Sequence, residues 1–130
     1  MKILIADRLA LFRESLRLLL ERLGAPVTFV EAGDCDDAWQ VIATQPDLDL
    51  AILDDQLPNG LAGHRIDDII LNAATTPIVL MTSDTVNIRR ALRLGVLGVI
   101  QKNQSGTSIL AALRKVLSGG LYLPQHGSRI

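Results

Sequence analysis

The sequence has a single cysteine, Cys35, among 130 residues, so no internal disulfide can staple it. Nothing in it has the Cys/His spacing of a zinc site. It has no surplus of positive charge. The formal net charge is −1, which removes the basic field that carries non-specific binding to nucleic acid. If DNA is the eventual target, the element that touches it is expected outside this chain. No apolar run reaches membrane-spanning length, and the start, Met1 to Ala6, is too short for a signal-peptide core. Repeats and low-complexity segments are absent. With 48% hydrophobic and 21% charged residues, disorder is excluded too. What remains is one soluble domain, with the cytoplasm as its default location and no membrane partner.

What is present is alternation. Short apolar runs alternate with longer stretches of helical period. Ile3 to Ala6 reads as a strand covered on both faces. Phe12, Leu16, Leu19, Leu20 and Leu23 share one helical stripe, which Gly24 ends and Pro26 keeps from continuing. Val27 to Val30 is a second strand. Asp34 is placed as the N-cap of a second helix, buried through Ala38, Val41 and Ile42 and closed by Pro46. Leu50 to Leu53 is a third strand. After the turn Pro58-Asn59-Gly60, residues near 64 to 73 form a helix with Ile66, Ile69 and Ile70 inward. Ile78 to Met81 is a fourth strand, Ile88 to Leu94 a helix stopped by Gly95, and Gly98 to Gln101 a fifth strand. Ser105 caps a last helix facing inward through Ile109, Leu110, Leu113, Val116 and Leu117. Five strands alternating with five helices predict an α/β, doubly wound parallel sheet with helices on both faces. The tail from Tyr122 lacks periodicity and reads as a terminus or the start of a linker.

In such a sheet the ligand site lies beyond the carboxyl ends of the strands, where strand order reverses. The polar residues that end the apolar runs are Asp7 and Arg8, Asp54 and Asp55, Thr82 and Ser83, and Lys102. Acidic groups can hold a hard divalent cation, and a hydroxyl and an ammonium can neutralise a phosphoryl oxygen. This set suits phosphoryl transfer to a carboxylate better than hydrolysis.

Ile3-Leu4-Ile5-Ala6-Asp7, Ala51-Ile52-Leu53-Asp54, Leu57-Pro58, Thr82-Ser83 and Gly98-Val99-Ile100-Gln101-Lys102 occur in the order found in response-regulator receiver domains. Over nearly its whole length the chain resembles that family, of two-component signalling. Gly119-Gly120-Leu121-Tyr122-Leu123-Pro124 is similar to the linker region of the NarL/LuxR-type branch, whose members usually carry a C-terminal helix-turn-helix. The resemblance implies the flavodoxin-like (βα)5 receiver fold with strand order 2-1-3-4-5. It implies a receiver domain over residues 1–121 and a tail or linker over 122–130. Asp54 would accept a phosphoryl group from a sensor histidine kinase. Mg²⁺ would be held by Asp7, Asp54 and the backbone carbonyl of Gln56, while Lys102 and Thr82 would meet the phosphoryl oxygens. The output would be transcription through a LuxR-type DNA-binding domain. No enzyme activity is expected beyond self-phosphorylation and self-dephosphorylation at Asp54. A homodimer through the apolar edges of the outer helices is compatible with the pattern.

The chain also departs from the family. Where a second acid normally follows the one at Asp7, Arg8 stands. A guanidinium cannot ligate Mg²⁺ and is expected to turn toward Asp54 or Asp7 or to extend into water, so weak Mg²⁺ binding and slow phosphorylation follow. Val99 occupies the place of an aromatic switch residue, and the segment between Thr82 and Arg89 is short. Asp55 is an unusual neighbour; adjacent strand residues point to opposite faces, which argues against its replacing the missing ligand. His64 and His126 read as surface residues, Cys35 and Trp39 as packing or surface residues, and Arg89, Arg90 and Arg93 as a basic helix face. A pseudo-receiver, an interaction or dimerisation module that needs no phosphate, is the alternative that Arg8 favours. A flavodoxin-like cofactor protein would need a phosphate-cradling turn after the first strand, and Asp7-Arg8-Leu9-Ala10 offers none.

Overall fold

The computed structural model describes residues 1–73, 75–83 and 88–124. The elements are β1 (Lys2–Ala6), α1 (Ala10–Leu20), β2 (Thr28–Ala32), α2 (Cys35–Thr44), β3 (Leu50–Asp54), α3 (Ile66–Asn72), β4 (Ile78–Thr82), α4 (Ile88–Arg93), β5 (Gly98–Gln101) and α5 (Gly106–Leu117). All strand pairs are parallel, in the order β2-β1-β3-β4-β5. The reversal of order therefore falls between β1 and β3.

Strand alternation divides the core into two layers. Leu4, Ala6, Ala51, Leu53, Ile78, Leu80 and Val99 face a layer with Ala38 and Ile42 of α2, Ile69 and Ile70 of α3, and Ala91 of α4. Ile3, Ile5, Leu50, Ile52, Val79, Met81 and Ile100 face Leu16 and Leu20 of α1 and Ile109, Leu110, Leu113 and Val116 of α5. Because helices cover both faces, β1, β3 and β4 are apolar without interruption. Each buried Leu or Ile contributes about 1.5–3 kcal/mol, and Leu53→Ala, at a fully buried position, would cost about 2–5 kcal/mol.

The boundaries differ from the sequence reading in three places. The first helix begins at Ala10, two residues before Phe12, and passes into a 3-10 turn, Glu21–Leu23, before Gly24 at φ 84°. The second strand runs Thr28–Ala32 rather than from Val27, because its register is set by pairing with β1, Lys2 opposite Thr28. The third helix starts at Ile66: the Arg65 amide donates to Asp68 Oδ2 at 3.0 Å at its N-terminus, which leaves His64 outside the helix. Asp34 and Ser105 cap α2 and α5 through bonds from Asp37 N–H and Ser108 N–H. Tyr122, placed by sequence in the tail, lies against the sheet edge: its N–H donates to Leu97 O, its carbonyl accepts from Val99 N–H, and it forms a parallel bridge with Gly98. Residues 84–87, part of the segment that sequence reads as short, and His126 lie outside the described residues.

Candidate functional site

Register decides which polar side chains share a face at the carboxyl rim. Ala6 pairs with Leu53 and Asp54 with Met81, while Thr82 pairs with Gln101. Asp7 and Lys102, one residue past β1 and β5, fall with Asp54 on the α1/α5 face. Asp55, one residue past β3, falls with Thr82 on the face of α2, α3 and α4. The ladder continues far enough to hold these positions, through Asp7 N–H to Ala32 O (3.0 Å), Asp55 N–H to Met81 O (3.0 Å) and Lys102 N–H to Thr82 O (2.8 Å).

On the first face the Lys102 ammonium donates to Asp7 Oδ2 at 2.5 Å and to Asp54 Oδ2 at 3.2 Å. Both carboxylates are buried, with Asp7 1% and Asp54 7% exposed. Their other oxygens accept backbone amides, Leu9 N–H at 2.8 Å and Gln56 N–H at 3.1 Å. Burial alone would pull the Lys102 pKa down. The hydrogen bond to Asp7 and the charges of Asp54 and Asp7 outweigh it, and the pKa is raised. The ammonium also sits 4.2 Å from the centroid of the Phe12 ring, a cation–π contact beneath the ion pairs.

On the second face the Thr82 hydroxyl donates to Asp55 Oδ2 at 3.0 Å. Thr82 is buried, and Asp55 Oδ1 is buried without a hydrogen-bond partner among the described residues. Burial raises the Asp55 pKa; the Thr82 bond opposes the rise and the Asp54 charge adds to it.

Asp7, Asp54 and Lys102 are thus brought together, and Thr82 reaches the same rim but is bonded to Asp55. Arg8 is exposed and no ion pair joins it to Asp7 or Asp54, so of its two expected placements the structure takes the one in water, and Lys102 bridges both carboxylates instead. Val99 is fully buried beside Ala91 and Val96. Among the described residues no group of three or more His, Cys, Asp or Glu could hold a metal. A Mg²⁺ ion can bind through one or two carboxylates plus phosphate oxygens while keeping several waters. Asp7 and Asp54 meet that minimum, and no more.

Two supporting residues escaped the sequence reading as site residues. Phe12 was read only as core. Arg13 donates to the Asp7 carbonyl at 2.5 Å and to Glu31 Oε1 at 2.9 Å, tying the turn after β1 to β2. Its signal was the spacing of Arg13 and Arg17, four apart on α1; both reach Glu31. The loop after β3 is also anchored. Cys35 N–H donates to Pro58 O at 2.8 Å, Ala62 N–H to Asp36 Oδ2 at 2.8 Å, and His64 Nδ1 lies 2.8 Å from Asp36 Oδ1. A Cβ at Gly60 would fall 1.9 Å from Asp36 Cγ, so only glycine fits there. His64 and Trp39 therefore have a role that sequence did not show. Their rings stack at 4.3 Å, fastening the loop to α2. Arg90, on the basic face of α4, pairs with Asp67 of α3, and Arg89 and Arg93 are exposed.

Comparison with known proteins decides the family. Residues 3–114 match the model of the response regulator receiver domain. The chain belongs to that family. It is a receiver domain of a two-component response regulator, and the receiver fold with order 2-1-3-4-5 is shared with solved members. The isolated receiver domain of RcsB from Salmonella enterica serovar Typhimurium, in the presence of the phosphomimetic BeF3⁻, superposes with a TM-score of 0.83 at 22% identity, covering 99% of this chain and 96% of that one. The receiver domain of NarL from Mycobacterium tuberculosis gives 0.76 at 25% identity, covering 91% and 96%. Among curated relatives, the glycerol metabolism activator of Pseudomonas putida is 32% identical over 127 residues, covering 95% of this chain and 57% of the relative. The transcriptional regulatory protein LnrK of Bacillus subtilis is 28% identical over 125 residues, covering 95% and 56%. The chain therefore spans little more than half the length of these relatives. No described helix is long and apolar enough to cross a membrane.

Proposed function

We propose that Asp54 is the phosphoacceptor of this receiver and that the phosphoryl donor is the phosphohistidine of a sensor histidine kinase. The observation that carries this is the Lys102 ammonium, 3.2 Å from the Asp54 carboxylate and anchored by Asp7. An Asp54 oxygen attacks phosphorus; the new O–P bond forms as the P–N bond breaks, and the imidazole leaves with the electron pair. Lys102 then stands beside the incoming negative charge, where a preplaced cation contributes most. Asp7, Asp54 and the backbone carbonyl of Gln56 would hold Mg²⁺, which when bound shares the neutralisation of the phosphoryl oxygens. Phosphorylation adds about −1.5 to −2 charges at the rim, and α4 and β5 are the surface that reads it.

Residues 1–121 are assigned to the receiver unit and 122–130 to a tail or the start of a linker, whose first residue, Tyr122, docks on the sheet. The relatives named as transcriptional regulators support an output in transcription, a solved LuxR-family response regulator of the same fold supports a LuxR-type DNA-binding domain as its route, and the cytoplasm is the location this reading assigns. RcsB dimers bound to DNA support a homodimer. Arg8 favours a second reading, a receiver that signals without phosphate. Incubation with phosphoramidate and Mg²⁺ followed by intact mass separates the two. One added phosphoryl group is expected on the wild type, slowly, none on Asp54→Ala, and faster addition on Arg8→Asp. Addition to neither the wild type nor Arg8→Asp favours the phosphate-independent reading.

A further inference from the structure

Asp55 is a second carboxylate beside the acceptor, and the reaction above gives it no task. It cannot join the Asp7–Asp54–Lys102 group, because register sends it to the other face of the sheet. There its Oδ2 takes the Thr82 hydroxyl proton at 3.0 Å. A threonine hydroxyl has one proton to give. While Asp55 holds it, that proton is not available to an oxygen on Asp54.

We propose that Asp55 is a positioning residue, a latch that holds the Thr82 hydroxyl in the resting state and must release it before Thr82 can serve a phosphoryl group on Asp54. The proposal rests on the reading of Asp54 as acceptor. Three features support it. The bond is charge-assisted, and such bonds are stronger than neutral ones. It lies at a buried position, with Thr82 1% exposed, so water competes poorly for the hydroxyl. Asp55 is itself fixed, through its N–H to Met81 O on the neighbouring strand. A phosphoryl group on Asp54 brings three acceptor oxygens of its own, so activation becomes a contest between two adjacent residues for one proton.

The test combines two measurements on full-length chains. The first is the Thr82 side-chain rotamer in the unliganded protein, read from three-bond NMR couplings in wild type and in Asp55→Ala. A single rotamer that becomes averaged in Asp55→Ala is expected; an unchanged rotamer overturns the latch. The second is the affinity for beryllofluoride at saturating Mg²⁺, measured for wild type, Asp55→Ala, Thr82→Val and the double variant. Losing a competing hydrogen bond to a charged group should tighten binding in Asp55→Ala about tenfold, and the gain should vanish when Thr82→Val is added. Asp55→Asn, which keeps an acceptor oxygen, should recover wild-type rotamer restraint. A gain that survives Thr82→Val shows that only charge was removed and overturns the proposal. If the rotamer is freed but neither wild type nor Asp55→Ala binds beryllofluoride, the acceptor reading fails while the restraint on Thr82 stands.

Discussion

Asp54 and Asp55 are neighbours in sequence with opposite surroundings. Asp54 faces α1 and α5, shares a lysine with Asp7 and has a backbone donor for its second oxygen. Asp55 faces α3 and α4, has a hydroxyl for one oxygen and leaves the other buried without a partner among the described residues. The period of two along a strand accounts for the division. One side keeps negative charge and supplies a cation for it; the other carries a desolvated carboxylate tied to a buried hydroxyl. The proposed acceptor and the proposed latch are thus separated by a single peptide unit.

The comparison is broken most forcefully at Lys102. Lys102→Met leaves two buried carboxylates without their cation, and a loss of about 3–5 kcal/mol is expected in urea unfolding at neutral pH. Wild-type stability in that variant would mean that the acids are solvated and the two sides alike. On the other side the sign should change with the number of partners removed. Thr82→Val alone strands Asp55 and should cost about 1–3 kcal/mol, whereas Thr82→Val with Asp55→Leu should recover most of that loss. Phe12→Leu removes the ring below the Lys102 ammonium and should cost about 1 kcal/mol through the cation–π contact, leaving the Thr82 rotamer unchanged.

The smallest effect concerns the loop both acids lead into. Cys35 Sγ lies 3.5 Å from Leu57 O beneath it, and burial, then the charges of Asp34 and Asp36, push its thiol up to about 11. The protonated form is therefore retained on folding. Any stability linked to it is unaffected below pH 9.0 and falls as pH rises from 9.0 toward about 11. At neutral pH iodoacetamide should label Cys35 only on unfolding, and equally slowly in Asp55→Ala. Fast labelling of that variant would show that the Asp55 side secures the loop as well as the hydroxyl.

The fold was legible because both layers of the core are written as apolar runs: β1, β3 and β4 have no polar interior residue to blur the period. The gathering of Asp7, Asp54 and Lys102 at the rim followed from where those runs stop. The partner of Thr82 did not, because it depends on the pairing of Asp54 with Met81, and inter-strand register is invisible in a single sequence. The choice between the two placements of Arg8 stays open in the sequence for a similar reason. Its charge was plain, but Lys102 reaching the acids from within was not. The pairing of His64, a surface residue in the sequence, with Trp39, a packing or surface residue there, stays hidden because their stacking joins α2 to a loop 25 residues later along the chain.

The docking of Tyr122 has a mechanical consequence. Its amide and carbonyl bond to residues on either side of Gly98, and its phenol accepts from Gln104 at 3.0 Å, so traction on the chain beyond it is borne first by β5. That strand delivers Lys102. Tyr122 thus ties the C-terminal segment to the same strand that sets the height of the ammonium at the rim.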